Sequence, residues 1–98
     1  MDKREIMQLI QEQHWDEVCD VVLDTDDNDI FKLALQQESC PEDIILDLWQ
    51  ALDPEVRLLV AKHPNTPMPV LMRMVQNDKD PEVRKHASIS YHTRRKDE

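Results

Sequence analysis

The five residues Asp53-Pro54-Glu55-Val56-Arg57 recur unchanged as Asp80-Pro81-Glu82-Val83-Arg84, 27 positions later. A period of 20–50 residues marks a solenoid, in which each unit buries its apolar face only against its neighbours. The similarity spreads outward from that motif. Ile30, Leu33 and Ala34 match Val56, Leu59 and Val60 at an offset of 26. At the same offset Cys40-Pro41 matches Thr66-Pro67, and Ile44, Ile45, Leu48 and Trp49 match Val70, Leu71, Met74 and Val75. A third unit opens at Asp80, carries Val83, Arg84 and Ala87, and stops after Thr93. The 98 residues therefore read as one all-α domain, a short α-solenoid. Residues 1–27 form a divergent N-terminal helical pair that caps the array, 28–53 and 54–79 are repeats, 80–93 is a half repeat, and 94–98 is a basic tail.

The chain has no glycine and six prolines. Phosphate-cradling loops and tight hairpins lean on glycine, so a P-loop or a dinucleotide fingerprint is excluded. The prolines mark helix starts instead. Asp53 and Asp80 are N-cap candidates, each followed by a proline suited to the first helical position. Thr66-Pro67 is expected to start the helix through Gln76 in the same way, with Cys40 a poor cap at the equivalent place and Ser39 a substitute. Upstream, Ile6, Leu9 and Ile10 predict a helix over Lys3 to Gln13, with Gln13 on the same face. Trp15, Val18, Cys19, Val22 and Leu23 predict a second, apolar along one stripe. Arg57 and Arg84 each lie four residues after their capping aspartate. They pair with it on the helix surface, or reach an acid on the next unit.

The run from Asp53 to Arg57, with Val60-Ala61, His63-Pro64-Asn65-Thr66-Pro67 and Val70-Leu71, resembles the leucine-rich repeat variant family, a HEAT-like helical solenoid. The resemblance recurs more weakly from Ile30 to Leu48 and from Asp80 to Thr93. It implies a right-handed superhelix of alternating α and shorter 3₁₀ helices, and it implies no enzymatic activity. Some relatives carry a cysteine-rich iron–sulfur segment. This chain has only Cys19 and Cys40, so that cofactor is not carried over and no cofactor is expected.

Several patterns touch on chemistry without completing it. Asp24, Asp26 and Asn28 occupy the first three ligand positions of an EF-hand loop, but Asp29 stands where glycine belongs and Leu35 where the closing glutamate belongs. An acidic turn between helices is the expected reading. His14, His63, His86 and His92 are scattered and read as linker and surface residues, so no metal site is expected. Cys19 falls in an apolar stripe, where a thiol is inert. Cys40 lies in a linker, reads as exposed, and is the one candidate nucleophile for an enzymatic alternative.

Charge is the remaining clue. Net charge is −9, and residues 1–53 carry three Lys or Arg against 15 acids. Asp16, Asp20 and Asp24 recur at i, i+4 and i+8, along one side of a helix, and Asp43 and Asp47 repeat the spacing. Such like-charge pairs cost a few tenths of a kcal/mol each. The stripes serve solubility, or they are a docking surface for a basic protein. The functional expectation is a non-enzymatic protein-binding module that uses Asp16, Asp20, Asp24, Asp43 and Asp47. A narrower alternative is an acidic immunity or inhibitor protein that neutralises a basic toxin such as a nuclease. Arg84, Lys85, Arg94, Arg95 and Lys96 have only Tyr91 nearby for base stacking. They read as a solvated end rather than a nucleic-acid site. Trp15, Trp49 and Met74 read as core, with Met68 and Met72 at its edge. The unfinished end predicts a homodimer through the half repeat. No signal sequence and no membrane span are read, and two unspaced cysteines fit a reducing, cytoplasmic setting.

Overall fold

The computed structural model describes residues 2–96. It contains seven α-helices and, among the described residues, no strand: α1 (Lys3–Gln11), α2 (Trp15–Asp24), α3 (Asn28–Leu35), α4 (Glu42–Leu48), α5 (Pro54–Lys62), α6 (Met68–Asn77) and α7 (Pro81–Lys96). The odd-numbered helices pack on one another in chain order and form one layer. In the second layer α2 lies against α4, while α6 packs on α7. The slab measures 40 × 28 × 15 Å. This is a helical-repeat solenoid, as the sequence period requires.

Equivalent residues fill equivalent slots. Ile30, Val56 and Val83 are all buried, and so are Ala34, Val60 and Ala87. Ile44 with Val70, Ile45 with Leu71, and Leu48 with Met74 do the same in the second layer. Caps fix where the first-layer helices begin. Asp2 accepts from the Glu5 amide at 2.9 Å, Asp27 from Asp29 at 3.0 Å, Asp53 from Glu55 at 2.9 Å, and Asp80 from Glu82 at 2.8 Å. Each satisfies an N–H that the helix leaves unpaired.

The first helix ends earlier than expected. Gln13 is not on its face but in the left-handed region, at φ 63°. The His14 amide donates to Leu9 O at 2.9 Å and the Gln13 amide to Ile10 O at 3.1 Å, the pair of bonds that closes a Schellman motif. Glycine is the favoured residue there, and this chain has none. Leu23 also departs from its expected place. It is 68% exposed, because the stripe of α2 that packs inward is carried by Val18 and Val22.

The family resemblance implies 3₁₀ helices in the second layer, but α2, α4 and α6 are α-helical. The first turns of α4 and α6 tighten, as does that of α5. Pro41 O accepts from both Ile44 and Ile45, and Pro67 O from both Val70 and Leu71, one i→i−3 and one i→i−4 bond in each case.

The linker His63-Pro64-Asn65-Thr66-Pro67 does different work from the capping expected of it. The helix cap is Pro67, which makes no side-chain bond, and neither Ser39 nor Cys40 caps α4. Thr66 is buried, and its hydroxyl donates to Val60 O at 2.6 Å, near the C-terminal end of α5. His63 is buried as well, not a surface residue. Its Nδ1 accepts from the Asn65 amide at 3.0 Å, so Nε2 carries the proton and donates to Gln37 O at 2.8 Å. Asn65 Nδ2 donates to Glu38 O and Cys40 O, both at 2.9 Å. The linker is thus a clamp onto the preceding one.

Those clamped carbonyls have counterparts 26 residues on. Gln37 O corresponds to His63 O, and Cys40 O to Thr66 O. At the second interface both are taken by the guanidinium of Arg94. Ser90 adds a bond to Ala61 O at 2.6 Å. The expected boundary after Thr93, with a solvated tail beyond it, is therefore corrected: α7 runs unbroken through Lys96, and Arg94 is half-buried. Asp97 and Glu98 of the expected tail lie outside the described residues.

Candidate functional site

The acids of the chain divide into two groups by what they touch. One group is neutralised between helices of the first layer. Lys3 Nζ lies 3.3 Å from Asp27 and 3.0 Å from Asp29. Lys32 bridges Glu55 and Asp53. Arg57 Nε donates to Asp78 Oδ2 at 3.0 Å, while its Nη1 donates to Ala51 O at 2.7 Å and Leu52 O at 3.0 Å. Of the two partners open to Arg57, the structure selects the acid leading into the next unit. The Asp78 side chain is only 5% exposed, so this pair is a buried brace.

The second group is left without cations, and it includes Glu17, Asp26, Glu38 and Glu42 besides the acids of the two stripes. Asp16, Asp20 and Asp24 are exposed on α2, and Asp43 and Asp47 on α4. None of the five enters an ion pair among the described residues. The two helices lie side by side, and Cys19 reports how near their charges come. Its thiol is pushed up by burial first, and then by Asp43, Asp47, Asp16 and Asp20. Four carboxylates from two helices therefore lie within electrostatic reach of one thiol. Asp24 closes the same row at the last residue of α2, where there is no basic residue in the final turn to offset the helix dipole. The stripes read separately along the chain thus lie exposed on neighbouring helices.

The patterns with catalytic or metal potential come apart in the structure. Cys40 is not exposed but wholly buried, and burial, with a smaller contribution from Cys19, pushes its thiol up to about 12. At neutral pH it is a thiol and not a nucleophile, which corrects the enzymatic alternative built on it. Asn28 is the first residue of α3, and Asp27 is its cap, so the acidic run is spent on a turn. No group of three or more His, Cys, Asp or Glu among the described residues is placed to hold a metal.

A groove on the other half of the molecule was not legible in the sequence. The loop after α4 and the C-terminal end of α6 enclose a groove of about 490 Å³. Trp49 and Met74 were read as core, and Leu52 had no role at all. The available signal was Leu52 itself, an apolar residue in a turn with no periodic partner; it is 98% exposed.

Residues 54–82 match the family model described as Leucine rich repeat variant. That segment, under a third of the chain, is similar to a leucine rich repeat variant unit. The unit takes in α5, α6 and the start of α7, the middle of the wider span over which the resemblance runs. The residues that carry the resemblance have structural work: Asp53, just before the match, caps α5, Arg57 braces Asp78, and His63 and Asn65 clamp the preceding linker. No curated protein and no solved structure matches the chain. No helix among the described residues is long and apolar enough to cross a membrane.

Proposed function

We propose that this chain is a non-enzymatic protein-interaction module that binds a basic protein through the face formed by Asp16, Asp20, Asp24, Asp43 and Asp47. The nearness of unpaired carboxylates on α2 and α4 carries this reading. Lys3, Lys32 and Arg57 answer acids at the starts of α3, α5 and α7, and none of these five carboxylates is answered. A face held at negative potential on rigid helices steers a positively charged partner and fixes its register. The leucine rich repeat variant unit supports it, since helical arrays present extended surfaces for binding.

The narrower form of the same reading is an inhibitor that covers a basic toxin. Both forms share one test. The double variant Asp20→Lys with Asp43→Lys is compared with the parent for saturable binding of a basic partner recovered at low salt. The expected result is a fall in association rate of at least about tenfold and a flatter dependence on ionic strength, with the helical circular-dichroism signal retained. An unchanged association rate overturns the assignment of this face.

A further inference from the structure

The groove beside Leu52 has the opposite electrical character to the acidic side of α2 and α4. Its charged lining is Arg57, Arg73 and Lys79 against a single acid, Asp78, in a chain of net charge −9. Arg57 and Asp78 satisfy each other. That leaves Arg73 and Lys79, both exposed, and neither enters an ion pair among the described residues. The rest of the lining is mixed: half-buried Trp49, buried Met74 and the projecting Leu52 supply apolar surface, and Gln50 and Asn77 supply polar groups. A volume of about 490 Å³ falls within the range of roughly 300–1,000 Å³ typical of ligand pockets.

We infer that this groove is a second docking site, and that its occupant is an acidic peptide segment that places a large apolar side chain against Trp49 and Leu52 and its carboxylates on Arg73 and Lys79. Charge complementarity selects this occupant. A basic or neutral segment would leave the two cations unanswered, while an anion without an apolar group would leave Leu52 in water. The framework is rigid, because Arg57 ties the loop carbonyls of Ala51 and Leu52 to Asp78. A preorganised site loses less entropy when it binds. The site shares no residue with the acidic face, so the two can be tested apart.

The probe is a short synthetic peptide of alternating leucine and aspartate, with a leucine–asparagine counterpart as control, titrated into the full chain and followed by amide NMR. The aspartate peptide is expected to shift signals from residues 49–52 and 73–79 saturably. The asparagine peptide should bind at least about tenfold more weakly, as should Arg73→Glu with Lys79→Glu. Leu52→Ser, which touches no core residue, should weaken binding severalfold with the fold intact. Absence of saturation into the millimolar range overturns the inference. So does equal binding of the asparagine peptide, or shifts centred on other residues. The same signals moving with an oligonucleotide, or with protein concentration alone, would assign the groove to a different occupant and overturn it equally.

Discussion

Cys40 shows how much one position owes to its surroundings. It sits in a linker, yet it has no exposure, because the next linker folds over it and Asn65 takes its carbonyl. Its thiol is raised from 9.0 to about 12. A raised acid favours the protonated folded state, so the stabilisation is fully present below pH 9 and is lost as pH rises from 9 towards 12. Unfolding stability is expected to fall across that window, with a slope of up to about 1.4 kcal/mol per pH unit for this group. Cys40→Ala should flatten the curve, and iodoacetamide at neutral pH should leave Cys40 unmodified until the chain is unfolded. A slope unchanged in the alanine variant would mean that other groups carry the alkaline sensitivity.

Among elements, the linker clamp and the end of α7 do the same job with different side chains. Asn65→Ala removes two bonds and leaves acceptors without donors, one of them the carbonyl of the buried Cys40, at a cost of about 1–3 kcal/mol. Arg94→Ala strips His63 O and Thr66 O of their donor and should cost a similar amount, whereas Arg95→Ala should cost less than about 0.5 kcal/mol. Denaturant unfolding of the three variants decides it; equal effects at 94 and 95 would place Arg94 in solvent. This is also where the sequence stops being readable. Val56 and Val83 were legible, because a core slot repeats with the helix period. The partner of Arg57 was not, since Asp78 lies 21 residues away and only the packing of units brings it near. His63 and Cys40 looked like loop residues, because burial of a linker depends on what stacks upon it. The carboxylates were visible as two rows, but their nearness required α2 and α4 to lie side by side.

For the whole molecule, electrostatics set stability and function against each other. The acidic face has no compensating cations, while the paired acids of the first layer contribute little where they are exposed. Added salt should therefore stabilise the fold. Between about 0.01 and 0.15 M ionic strength the screening length falls from about 30 to 8 Å, which relieves repulsion within the face. A gain of up to about 1 kcal/mol is expected. The double variant Asp20→Lys with Asp43→Lys should be more stable than the parent at low salt and nearly indifferent to salt. A parent chain that loses stability as salt is added would show that the ion pairs dominate. The clamp has a consequence of another kind. It grips main-chain oxygens, which every amino acid presents in the same way, so this part of the join is blind to most of what the gripped linker is made of. Growth by duplicating a segment, and drift in sequence afterwards, are both open to such a chain without a new joint having to be invented each time.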